Sequence, residues 1–293
     1  MNGRMAGAVA LAVAAALGLA GCSSSAPAAE PGKGQIGAPA SALPGGHVHG
    51  VAAAADGSKV LLGTHGGVFD VSGAAPARIS PADDFMGFVG DPSDTLWASG
   101  HPGPGSKKPN PLGLLRSDDG GKTWATVSNE GVSDFHALAV TRSGLVGFDG
   151  TLKRSATGER WADVASEIRP ATLAGHAGTD TVLATTERGL FASPDGGATW
   201  RPVAGAPLVR IAAFADAYRA VAVAPDGTVY ASGDAGATWA RSGTIGGGDV
   251  EAVTAVAPAG GGQVRVWAAT TSGVRESRDG GATFADYIPG RQS

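Results

Sequence analysis

Past residue 46, the apolar residues of this chain come in short runs interrupted by Gly, Asp, Ser and Pro. No stretch there sustains the three-to-four spacing of an amphipathic helix. Residues 249–288 show the pattern: "DVEAVTAVA", "QVRVWAAT" and "GVRES" read as strands, "RDGGAT" as a turn, and "FADYI" as a strand again. One unit is therefore a small-apolar strand, a turn, a second apolar strand, a Gly-led third strand, a turn and a fourth strand. The same unit recurs along the chain.

Its clearest marker is an eight-residue turn written four times: "SDDGGKTW" from Ser117, "SPDGGATW" from Ser193, "SGDAGATW" from Ser232 and "SRDGGATF" from Ser277. A degenerate copy, "SATGERW" from Ser155 to Trp161, is one residue short and lacks the aspartate. Around Ser72, "FDVSG" is a strand end with no turn motif left. The serines at 72, 117, 155, 193, 232 and 277 are spaced by 45, 38, 38, 39 and 45, which gives six units of about 40 residues. Four short antiparallel strands at that period predict an all-β, six-bladed β-propeller.

The repeated turn resembles the Asp-box, or BNR repeat, of sialidases, sortilin-type receptors and photosystem-assembly propellers. The resemblance implies that it forms the hairpin between the third and fourth strands of a blade. The residues agree on physical grounds. Asp119, Asp195, Asp234 and Asp279 can accept backbone N–H bonds inside the turn, and the glycines permit positive φ. Trp124, Trp200, Trp239 and Phe284 are expected to pack between blades. One aspartate per turn is too few oxygens for a calcium loop, so the motif is read as structural.

Composition adds the compartment. Arg4 followed by the apolar residues 6–19, too short to span a bilayer comfortably, marks residues 1–21 as a signal peptide. It closes on "LAGC", which resembles a bacterial lipobox, and Cys22 is the single cysteine of the chain. The resemblance implies a diacylglycerol on Cys22 and a mature protein without disulfide or thiolate ligand. Residues 22–43, rich in Ser, Ala, Pro and Gly, read as a lipidated flexible tether, and residues 44–293 as the propeller. The expected location is the cell envelope, lipid-anchored on the extracytoplasmic side of a bacterial membrane. The 48 glycines and 18 prolines follow no triplet period, which excludes collagen, and a net charge of −4 without a basic run argues against nucleic acid.

The histidines carry the candidate chemistry. Starts of the first strands align as "HVHGV" (47–51), "DFMGF" (84–88) and "DFHAL" (134–138). Their third positions are His49, Met86 and His136, and the later units place Ala171, Arg210 and Glu251 there. His47, Asp84 and Asp134 hold first positions, while His65 and His101 end second strands, so these side chains are expected on one rim of the central channel. His176 falls in a turn expected on the other face. Imidazole, thioether and carboxylate without thiolate suit copper, or zinc if Met86 is a bystander. The insertion "HPGPGSKKPNPLG" (101–113) lies on the same rim.

The sialidase resemblance implies an arginine triad and a tyrosine nucleophile. The first-strand positions offer Arg210 alone, and Tyr218, Tyr230 and Tyr287 fall in outer-strand contexts. The reading is therefore a monomeric binding protein rather than an enzyme, with the membrane as one partner and a metal, glycan or protein ligand at the propeller face. The alternative is a glycoside hydrolase using rim carboxylates drawn from Asp84, Asp134, Asp249 and Glu251.

Overall fold

The computed structural model describes residues 43–54, 56–91, 94–258 and 260–289. The expected signal peptide, Cys22 and the tether up to residue 42 lie outside them. Six four-stranded antiparallel sheets are formed, each from strands consecutive in sequence. Their innermost strands are Val48–Ala53, Asp84–Gly90, Ala137–Thr141, Thr172–Ala174, Ile211–Phe214 and Val250–Val256, which we number as blades 1 to 6. Each innermost strand packs on the next, and blade 6 packs on blade 1, so the ring closes as the predicted six-bladed propeller.

Burial explains the alternation of run types. Second strands such as Val60–Thr64 and Ala220–Val223 are buried at every position because a blade covers each face, and they read as unbroken small-apolar runs. Third strands such as Gly189–Ser193 are partly buried, and outer strands such as Arg201–Pro202 are exposed. Close approach of blades 1, 2 and 3 depends on two glycines. A Cβ at Gly50 would lie 2.4 Å from the Phe88 carbonyl oxygen, and one at Gly87 would lie 2.3 Å from that of Phe135.

Among the described residues, blades 1 and 6 are each built from consecutive strands and meet through side-chain packing. Val48, Val51, Val60 and Leu62 of blade 1 share one apolar cluster with Ala252, Trp267 and Ala269 of blade 6, and Leu43 packs against it. Across the same seam, the Val48 N–H donates to Glu251 Oε2 at 3.0 Å and Arg265 Nη1 donates to the Asp56 carbonyl at 2.9 Å.

The eight-residue turns sit between third and fourth strands, as expected. In the Ser193 copy, Asp195 accepts the Thr199 N–H (2.8 Å) and hydroxyl (2.7 Å), while Ser193 Oγ accepts the Gly197 N–H at 2.8 Å. Trp200 Nε1 donates to the Gly197 carbonyl at 3.0 Å. Asp119, Asp234 and Asp279 make the same bonds to their own threonines. The aromatic ends bridge blades, although each stays partly exposed: Trp124 joins the cluster of blades 1 and 2, and Trp200 that of blades 3 and 4. Trp239 packs on blades 4 and 5, and Phe284 on blades 5 and 6. Tyr230 lies on a third strand, whereas Tyr218 departs from the outer-strand expectation and caps the first hairpin of blade 5.

The threonine hydroxyls, with the backbone N–H groups, hold Asp119 and Asp234 at about 2, well below the usual carboxylate range. A folded pKa below the unfolded one gives stability that is present above about pH 4 and lost as pH falls toward about 2. The Asp119→Asn, Asp234→Asn double variant should therefore lose less Tm than the parent between about pH 4.5 and about pH 2.5. Parallel melts that fall equally would show that these turns do not sense acid.

Candidate functional site

The turns between first and second strands share a face with the Asp-boxes; the Gly196 N–H bonds the Asp180 carbonyl at 2.8 Å and the Ala235 N–H that of Tyr218 at 2.7 Å. Loops from second to third and from fourth to first strands occupy the opposite, mouth face. There, each innermost strand presents one residue just before regular pairing begins. In blades 1, 2 and 6 the register slips at this point, between Val48 and Gly50, Phe85 and Gly87, and Val250 and Ala252, leaving His49, Met86 and Glu251 in bulges. In blades 3, 4 and 5 the N–H groups of His136, Ala171 and Arg210 bond the second-strand carbonyls of Phe148, Thr185 and Val223. The six aligned positions are thus structurally equivalent. A bulge adds a residue to one strand and re-aims its side chain, which suits the rim of a site.

The mouth-face histidines fall into two groups. In the first, His49 Nε2 lies 3.3 Å from His65 Nδ1, His65 Nδ1 lies 2.9 Å from Asp84 Oδ2, and His49 Nε2 lies 3.7 Å from Asp84 Oδ1. Tetrahedral zinc, with bonds of about 2.0–2.1 Å, separates its ligand atoms by about 3.3–3.4 Å; the two ring nitrogens and a carboxylate oxygen lie within 4.8 Å of one another, near enough to converge on one ion. His47 stands behind, its ring edge-on to His49 at 4.9 Å and its Nδ1 3.2 Å from Glu251 Oε1. Burial and the nearby charges of His65 and His47 push the His49 pKa down to about 4, against the opposing pull of Asp84; His136 adds to the lowering. His49 is therefore neutral at physiological pH, with a ring nitrogen available as a ligand.

The second group joins His101, Asp134 and His136. His101 Nε2 lies 3.1 Å from Asp134 Oδ2, and His136 Nε2 shares that same oxygen in a short bond. On its other side, His101 Nδ1 donates to Asn110 Oδ1 at 2.6 Å. That bond places the ring proton on Nδ1 and turns the Nε2 lone pair toward the Asp134 carboxylate.

Asp84 Oδ1 and Asp134 Oδ1 are both buried without a hydrogen-bond partner among the described residues. The insertion that supplies Asn110 is pinned on the rim: buried Asp83 accepts the Gly103 N–H at 2.9 Å and Lys108 Nζ at 2.6 Å, and Leu112 is fully buried. Met86 is partly buried on the strand between the two groups, and Asp249 and Arg210 are exposed. His176 lies on the Asp-box face, its Nδ1 accepting the Gly178 N–H at 2.9 Å. Sequence reasoning missed Asn110 and Asp83; their partners, His101 and Lys108, are brought to them by the folded insertion, and no local pattern announces the pairing.

Fold and rim together define an Asp-box β-propeller carrying two histidine–carboxylate groups on the mouth face. The BNR/Asp-box repeat family matches residues 115–126, the box of blade 2. No curated protein matches the chain. Among solved structures it is similar to an ancestral GH74 enzyme, with 15% identity, a TM-score of 0.54, and coverage of 82% of this chain and 37% of that one. It is also similar to YCF48 from Cyanidioschyzon merolae, with 15% identity, a TM-score of 0.52, and coverage of 82% of this chain and 98% of that one. The extracellular domain of a hybrid two-component system from B. thetaiotaomicron gives 11% identity, a TM-score of 0.51, and coverage of 86% and 34%. The chain spans a little over a third of the GH74 enzyme's length and nearly all of YCF48. At these identities the likeness is one of fold.

Proposed function

We propose that the protein is a lipid-anchored, extracytoplasmic binding propeller whose mouth face holds divalent metal, with zinc at His49/His65/Asp84 and at His101/Asp134/His136. The observation that carries this is the pair of carboxylates, Asp84 and Asp134, each grouped with two imidazoles and each keeping one buried oxygen, Oδ1, without a hydrogen-bond partner among the described residues. A buried acceptor left unpaired costs about 1–3 kcal/mol, and a cation bound there would offset that cost. Two imidazoles and one carboxylate, with a position left open, are a zinc-type donor set; copper would draw on Met86 as well. The hydrolase alternative would take its acid and base from carboxylates of which Asp84, Asp134 and Glu251 already face histidines. That engagement favours ligand binding.

Titration calorimetry with zinc should register two equivalents per chain. Replacing Asp84 and Asp134 by Asn should remove both, and absence of uptake by the parent would overturn the reading. Attachment is tested separately. Cys22→Ser should move the protein from the membrane fraction to the soluble fraction or leave it as precursor; a processed variant that still sediments with membranes would refute lipid attachment at Cys22.

A further inference from the structure

The degenerate box of blade 3 differs chemically from the intact ones. Where the blade 4 box runs Ser193-Pro194-Asp195-Gly196-Gly197, this turn runs Ser155-Ala156-Thr157-Gly158, one residue shorter, and Arg160 takes the sequence place of the box threonine. Part of the box survives: the Gly158 N–H still donates to Ser155 Oγ at 2.8 Å. Trp161 still packs, its ring centroid 4.5 Å from that of Phe135, but its Nε1 now donates to Ser128 Oγ at 3.1 Å. The carboxylate that closes each of the other boxes has no counterpart.

In its neighbourhood lies a cavity of about 300 Å³ between the turn of blade 3 and the intact box of blade 4, lined by Thr141, Ser143, Arg154, Arg160, Trp161 and Gly196. The guanidinium groups of Arg154 and Arg160 make no hydrogen bond, ion pair or ring contact among the described residues. The nearby carboxylate of Asp180 is already engaged, by Arg142 at 2.7 Å and by the Ser143 N–H at 2.9 Å. Two solvent-exposed guanidinium groups without a protein partner among the described residues, two hydroxyls and an indole thus share one concave site of ligand size.

We propose that this cavity is an anion seat for a ligand carboxylate, held by the guanidinium groups of Arg154 and Arg160. Guanidinium matches a planar carboxylate through two parallel N–H bonds, and Trp161 offers an apolar wall to the body of the ligand, such as the ring of an acidic sugar. The site lies on the Asp-box face and is independent of the histidine groups at the mouth.

Titration calorimetry on the full chain with sodium glucuronate, acetate, glucose and sulfate tests this. Glucuronate should bind measurably, and its margin over acetate reports whether the carboxylate is taken with its sugar ring or alone. Glucose should not bind, and sulfate should bind at least tenfold more weakly than glucuronate. The Arg154→Ala, Arg160→Ala double variant should weaken glucuronate at least tenfold with unchanged Tm. Ala156→Asp, which sets a carboxylate on the cavity wall and leaves both arginines, should weaken it similarly. Glucose binding as well as glucuronate, sulfate matching glucuronate, no glucuronate binding by the parent, or full binding by the arginine double variant would each overturn the proposal.

Discussion

The His49→Ala, His136→Ala double variant is expected to take up no zinc while the propeller stays folded. Each change removes one of three ligand atoms from a different group, so the single variants should each retain one equivalent and the double variant none. Loss of a direct ligand should weaken a site by more than the 10–100-fold typical of outer-shell changes, that is by roughly 100-fold or more. Stability should hold because neither side chain builds the core. His49 is in fact a burden in acid. Its folded pKa of about 4 lies below the ordinary histidine value of 6.5, so the unfolded chain binds more protons and stability falls as pH drops from about 6.5 to about 4. The double variant lacks this loss, and its Tm should decline less than that of the metal-free parent over the same range. Equal zinc uptake by the parent and the double variant would remove the histidines from the site. A milder change, Asn110→Ala, frees His101 to rotate and should cost about 10–100-fold in affinity at the second group alone.

Replacing Trp267 by Ala should be the most damaging single change to the fold. The ring is fully buried in the seam where blade 6 meets blade 1, packed among Val48, Val51, Val60 and Leu62 and covered by the Arg265 guanidinium at 4.6 Å. Truncation leaves a cavity at the one place where the two ends of the repeat array must hold each other, at a cost of about 3–5 kcal/mol. For a domain of this size that corresponds to a Tm lower by roughly 10 °C. Trp200, expected from the sequence to be packed between blades, does join the blade 3–4 cluster but keeps part of its ring exposed. Its alanine variant should lose about half as much. Thermal unfolding of the two variants side by side decides the order; a Trp267→Ala loss below about 1 kcal/mol would mean that the seam does not limit stability.

The repeat was legible because its signals are local. An Asp-box closes within eight residues through bonds from Asp195 to Thr199 and from Ser193 to Gly197, so its residue types announce it wherever it stands. Strand type was legible because a second strand covered on both faces must be apolar throughout, while an outer strand need not be. Even the six rim positions could be aligned, since His49, Met86, His136, Ala171, Arg210 and Glu251 precede the same ladder in each blade. What those positions do together could not be read there. Whether five histidines form one cluster or two depends on distances between blades, and these are set by ring closure and by how closely Gly50 and Gly87 let neighbouring strands approach. Asp84 and Asp134 became ligand candidates rather than free acids because the second-strand ends carrying His65 and His101 fold back beside them. Asn110 reaches His101 because buried Asp83 ties down the insertion. Local hydrogen bonding and burial are encoded residue by residue, whereas a site shared by three blades exists once the whole ring has closed.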